Sequence, residues 1–157
     1  NGVRVWRITR LILAQNMNDI NDILEVMDLY QRDYPIWNKA GVKEIFYHIY
    51  PSIVLGQCKV HRDKDGLYGF RNWAFLNEDA EKRFLETREI GFDDWNSGDK
   101  LWVIDSIFKR KHNEAMLYYR TFFTHLIGVG KPVQWLRLSP NGLIRSHVKL
   151  TTREYHL

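Results

Sequence analysis

The stretch DDWNSGDKLWVID, residues 93–105, packs four aspartates, two tryptophans and a glycine turn into thirteen positions. Its first half is polar and turn-forming. Its second half, with Ile107 and Phe108 beyond it, reads as a strand over Leu101–Phe108. A carboxylate, Asp105, interrupts that strand where an apolar or turn residue would be expected. Burying a charge without a partner is costly, so Asp105 is the residue that needs a reason.

Working outward, Val3 and Val5 alternate as a short first strand. Asn18 or Asp19 then offers an N-cap to a helix with Ile20, Ile23, Leu24, Met27 and Tyr30 on one face and Pro35 just beyond its end. A second helix covers Val42–Tyr50, and Pro51 breaks it. From Gln57 the period changes: Cys58 and Val60 lead into the turn HRDKDG, residues 61–66, and Leu67–Leu76 is the returning strand. Asn77 caps a polar helix to about Glu89. After the 93–105 block comes a helix from Asn113 to Ile127 with Met116, Tyr119, Phe123 and Leu126 as its apolar stripe. Strands near Val133–Leu138 and Leu143–Leu150, joined by the turn SPNG, end the pattern. The reading is α/β of the α+β kind, a meander of mainly antiparallel strands flanked by helices. Without repeats or linkers, residues 1–157 form a single domain.

The chain has 157 residues and is 45% hydrophobic, enough for one core and short for two. No run approaches the roughly 18 apolar residues of a membrane span, and no secretory signal is evident, so a soluble, cytoplasmic protein is expected. The lone Cys58 cannot form an internal disulfide and fits a reducing compartment. No Cys or His spacing suggests a metal site. The turn HRDKDG echoes a calcium loop at His61, Asp63, Asp65 and Gly66, but its twelfth position is Asn72 rather than glutamate.

The net charge of +4 has its clearest cluster at Lys109, Arg110 and Lys111. Such a run attracts phosphate or an acidic protein, although a solvated turn is the plainer reading. Six tryptophans could stack nucleic acid bases, but they sit at strand and helix spacing, which favours core packing. Nucleic acid is not expected as a partner. There is no nucleophile elbow and no Walker loop, and GVGKP, residues 128–132, reads as a plain loop.

The block from Asp94 to Asp105 resembles the pattern D-W-[TS]-S-G-D-[RK]-x-W-F-I-D of the toxin-activating lysine acyltransferases that mature RTX toxins. It differs only at Asn96 and Val103. Upstream, NWAFL at 72–76 is similar to the family's S-W-A-N-L and YPSI at 50–53 to its L-P-A-I. Downstream, EAMLYYR at 114–120 is similar to A-L-Y-K-x-M-R, and QWLRLSPNG at 134–142 to F-R-A-I-R-V-D-P. The resemblance spans roughly residues 47–150.

It implies a GNAT-like fold and transfer of a fatty acyl group from acyl carrier protein to a lysine ε-amine of a protein, with no tightly bound cofactor. Asp105 occupies the place of a catalytic acid, which could orient a base or hold the lysine. The Lys109–Arg110–Lys111 run would suit the acidic carrier as a docking surface for the donor. The family's catalytic histidine, in S-P-L-H-R-x-W-P, falls at Trp37 in this sequence, and its arginine falls at Asn38. Tryptophan accepts no proton. His48, the first histidine of the chain, is the candidate for a relocated base, although on an apolar helix it also suits a packed or partner-facing role. Asp105 could equally be structural, bonded to backbone amides or paired with Arg137.

Two expectations follow. The chain is a lysine acyltransferase using Asp105 and His48, or it is a non-catalytic relative that serves as a binding or assembly module, for example in a phage virion. The latter would make it particle-associated, and homo-oligomerisation is left open. The enzymatic reading expects Asp105 to face a cleft rather than the packed interior; an acid sealed off, with the Trp37 indole in the place of the incoming amine, points to a scaffold instead.

Overall fold

The computed structural model describes residues 20–154. The strand expected at Val3–Val5 and the N-cap expected at Asn18 or Asp19 lie outside that range. In chain order the elements are α1 (Ile20–Asp33), α2 (Val42–Val54), β1 (Cys58–Asp63), β2 (Gly66–Leu76), α3 (Glu78–Thr87), β3 (Lys100–Phe108), α4 (His112–Ile127), β4 (Pro132–Leu138) and β5 (Ile144–Thr151). The five strands form one sheet in the order β1-β2-β3-β4-β5.

The strands are not a pure meander. β1, β2 and β3 pair antiparallel, as do β4 and β5, but β3 and β4 run parallel. Parallel neighbours need a long crossover, and α4 supplies it. The β3–β4 pairing ends at Val103↔Trp135, so the second half of β3 has no neighbour on that side among the described residues.

Both faces of β2 and β3 are covered. Trp73, Phe75, Leu101 and Val103 pack on α4 through Tyr119, Phe122, Phe123 and Leu126. On the other face Val60, Phe70 and Ile107 pack on α1 and α2, while Ala74, Leu76 and Trp102 pack on α3 through Ala80 and Phe84.

Two helix faces differ from the sequence reading. In α1 the buried residues are Val26, Met27, Leu29 and Tyr30, whereas Ile20 and Leu24 are exposed. The apolar positions of α1 exceed one stripe, and the docking of its C-terminal half selects Val26 and Leu29. In α4 Met116 is exposed, and Ala115 and Phe122 join Tyr119, Phe123 and Leu126 in the core.

Pro51 does not break α2, which continues to Val54 with Pro51 buried inside it. The proline removes one helical donor, that to the Tyr47 carbonyl. Tyr47 is exposed, so water can satisfy that oxygen while Ile45 and Ile49 keep the helix seated. Asn77 caps α3 as expected, its Oδ1 accepting from the Ala80 N–H at 2.8 Å.

The 93–105 block is stitched to the end of β2. The Trp95 carbonyl accepts from the Phe75 N–H, and the Ser97 and Gly98 N–H groups donate to the Phe75 carbonyl. Ser97 Oγ accepts from the Asn77 N–H and donates to the Asp94 carbonyl. Gly98 approaches so closely that a Cβ there would lie 2.6 Å from both the Asn77 nitrogen and the Leu76 oxygen. Backbone atoms cannot step aside as a flexible side chain can. Gly98→Ala is therefore expected to destabilise the protein by about 1–3 kcal/mol, measured as a lower denaturant midpoint at unchanged slope.

His61 gives a second, pH-dependent expectation. Its Nε2 lies 2.6 Å from the Tyr119 hydroxyl. Burial, with the charges of Lys59 and Arg71, pushes its pKa down from 6.5 to about 4. The folded state holds this imidazole neutral, so its contribution is complete above 6.5 and is lost as pH falls toward 4. Urea midpoints should fall across that window, and the His61→Gln variant should show a flatter profile.

Candidate functional site

A β-bulge aims Asp105. β2 and β3 pair in register from Gly69↔Phe108 to Asn72↔Asp105, and the register then shifts so that Trp73 faces Val103, leaving Ile104 without a partner on β2. Side chains alternate between faces along a strand, and one extra residue inverts that alternation. Ile104 packs beside Trp102 in the α3 cluster. Asp105 also turns to the helix face, with Ile107 following it toward α1 and α2. The Asp105 N–H donates to Asn72 Oδ1 at 2.8 Å, and Asn72 Nδ2 donates to Ser52 Oγ at 3.3 Å. The bulge is thereby tied to α2.

The Asp105 carboxylate is met by three side chains. His48 Nε2 lies 2.5 Å from Oδ2, the Tyr30 hydroxyl donates to the same oxygen at 2.6 Å, and Tyr34 also bonds the carboxylate. Arg137 is not among these partners. Burial weighs against the charge of Asp105, but the charge of His48 and the hydrogen bonds from His48, Tyr30 and Tyr34 outweigh it and hold the carboxyl below its ordinary range. Tyr30 moves the other way: burial, then the neighbouring Asp105 charge, pushes its pKa well up, so it stays a phenol and a donor.

Asp105 therefore does not face a cleft, contrary to the sequence expectation. Its side chain is 4% exposed, whereas that of His48 is 25% exposed. The carboxylate can only accept, so Nε2 carries the hydrogen between them and Nδ1 is left as the basic nitrogen. His48 is the member of the pair that can meet another molecule, and Asp105 can fix its tautomer and ring orientation.

Trp37, in a 3-10 turn at Pro35–Trp37, lies against His48 with ring centroids 4.3 Å apart and meets Tyr30 edge-on at 6.1 Å. The position where the family pattern carries histidine and the histidine this chain does carry thus share one site. Tyr30 and Tyr34 are polar partners that the sequence reading does not include. The available signal was a tyrosine on an apolar helix face, since a buried phenol needs an acceptor.

The basic run lies elsewhere. Arg110 donates from Nε and Nη2 to Asp63 at 3.1 and 2.5 Å. Lys111 Nζ is 3.0 Å from the same carboxylate, and both cations lie over the Tyr68 ring. Two of its three charges therefore pin the β3–α4 turn to the β1–β2 hairpin. Lys109 makes no ion pair among the described residues. Among those residues no cluster of three His, Cys, Asp or Glu side chains could hold a metal ion, and no helix is long and apolar enough to cross a membrane.

Comparison with known proteins adds to this geometry. The chain is 29% identical over 91 residues to the RTX-II toxin-activating lysine-acyltransferase ApxIIC of Actinobacillus pleuropneumoniae, covering 57% of this chain and 56% of that one. It is 33% identical over 84 residues to the leukotoxin-activating lysine-acyltransferase LtxC of Aggregatibacter actinomycetemcomitans, covering 52% and 49%. With the lysine-acyltransferase RtxC of Vibrio cholerae it shares 28% identity over 109 residues, covering 68% and 69%. The chain spans about half the length of the first two relatives. Residues 15–142 match the RTX toxin acyltransferase family as a whole, and the chain belongs to that family.

Proposed function

We propose that the chain is a protein-lysine N-acyltransferase in which His48 is the general base and Asp105 the residue that positions it. The 2.5 Å contact between them carries the reading. A lysine ε-amine is protonated near neutral pH and must lose a proton to become a nucleophile. His48 Nδ1 accepts it, and the amine nitrogen attacks the carbonyl carbon of an acyl thioester. The C–N bond forms, the nitrogen gives its second proton to solvent as the C–S bond breaks, and the imidazolium returns the first proton to the departing thiolate. Asp105 holds the ring in orientation through these steps, while Tyr30 and Tyr34 keep Asp105 ionised.

The donor in this reading is acyl carrier protein bearing a fatty chain, with Lys109 as the remaining free charge of the basic run for its acidic surface. Residues 1–157 act as one acyltransferase domain. The antiparallel strands around one parallel pair, which parts after Val103, support a GNAT-like classification.

A specific feature favours a second reading. Trp37 covers one side of His48 and Asp105 is buried, as expected of a non-catalytic relative that uses this face to bind a partner. One experiment separates the two. With acyl carrier protein bearing a labelled fatty chain and a lysine-rich acceptor protein, the wild-type chain should label lysine. His48→Gln should lower the rate about 10²- to 10⁴-fold, and Asp105→Asn should fall in the same range without unfolding. Transfer unchanged by His48→Gln would sink the proposed base. No transfer by the wild-type chain would leave the binding module.

A further inference from the structure

The strongest feature outside the dyad is a cavity of about 220 Å³ beside the second half of β3, lined by Asp33, Tyr34, Arg71, Ser106, Phe108 and His112 among others. Tyr34 is shared, since it also bonds Asp105. Arg71 stands opposite Ser106 in the β2–β3 register. Its Nε and Nη2 donate to Ser106 Oγ at 3.1 and 2.7 Å, and its guanidinium lies 4.1 Å from the Tyr119 ring centroid. The Phe108 ring closes the wall over Gly69, where a Cβ would come within 2.4 Å of it.

This arginine is held but not neutralised. Among the described residues it has no carboxylate within ion-pair distance, and its contacts are a hydroxyl and two aromatic rings. Burial depresses its pKa from the ordinary value, as for a cation that lacks an anion. Two of its N–H groups are taken by Ser106, which leaves the Nη1 pair and one Nη2 hydrogen. Ser106 Oγ accepts both bonds, so its own hydrogen is free to donate. A planar fork beside a hydroxyl donor matches a carboxylate.

We propose that this cavity recognises the carboxylate of an acidic residue close in sequence to the acceptor lysine. The acceptor's identity rests on the acyltransferase reading; the anion preference rests on the cavity alone. The shared wall at Tyr34 places the cavity next to the dyad. An extended segment adds roughly 3.3–3.6 Å per residue, so an acid within a few residues of the lysine is the side chain this cavity would read. The phosphate of a carrier-protein donor is separated from its thioester by the whole prosthetic arm. Asp33, which also lines the cavity, suits a segment that carries both signs of charge.

Equilibrium binding tests this independently of transfer. Fluorescein-labelled, amidated peptides with one lysine and either Glu or Gln two residues away would be titrated with the full chain and read by anisotropy. The Glu peptide should bind on the order of tenfold more tightly, and Arg71→Gln should erase the difference. Arg71→Lys, which keeps the charge but not the fork, should retain part of it. Matching far-ultraviolet dichroism and thermal midpoints would establish that the variants are folded. His48→Gln should keep the full Glu preference, so loss of transfer and loss of recognition are separate results. Equal binding of the two peptides by the wild-type chain, a preference that survives Arg71→Gln, or displacement by inorganic phosphate at far lower concentration than acetate would each overturn the proposal.

Discussion

One unpaired residue in β3 organises the site. Without the bulge at Ile104, the alternation that sends Trp102 to the α3 face would send Asp105 toward α4, among Trp73, Val103 and Phe123, where nothing could balance a carboxylate. With it, Asp105 reaches the helix face and its hydrogen-bonding neighbours, while Ser106 turns to the face of Arg71. The pairing with β4 also ends at Val103, just before the bulge. The bulge thus sets the direction of the acid.

Burying Asp105 is tolerable only because its neighbours come from two helices. Tyr30 arrives from α1 and His48 from α2, with Tyr34 just after α1, so the carboxylate is a joint that binds both helices to the sheet. The hydrophobic cluster of Val26, Leu29, Ile45, Ile49 and Phe70 surrounds that joint and excludes water from it, which strengthens each charge-assisted bond. The same enclosure removes Asp105 from direct contact with a substrate. Any chemistry must pass through the imidazole, the partly exposed member of the group.

Much of this was legible in the sequence, for physical reasons. The hairpin at residues 61–66, the Asn77 cap and the strand boundaries depend on local turn and capping chemistry, which short stretches carry. The orientation of β4 was not legible, because the long α4 connection permits either direction. Neither was the continuation of α2 past Pro51, since local propensity argued for a break and tertiary burial of Ile45 and Ile49 won. The polar role of Tyr30 was hidden by its apolar spacing. The pairing of His48 with Asp105 spans 57 positions, and no local pattern encodes a bulge that turns one toward the other.

The residues that most resemble the family pattern do different work from the residues that would do chemistry. Trp95, Ser97 and Gly98 fasten the loop to the end of β2, and Trp102 is a buried side chain whose indole N–H donates to Glu81. Of the whole block only Asp105 reaches the polar site. A strong match there therefore preserves the scaffold and the acid, and leaves open which element supplies the imidazole. The turn at Pro35–Trp37 packs on the middle of α2, with the Trp37 and His48 ring centroids 4.3 Å apart, so the two positions are neighbours. In this chain α2 holds the histidine, and an indole fills the place beside it.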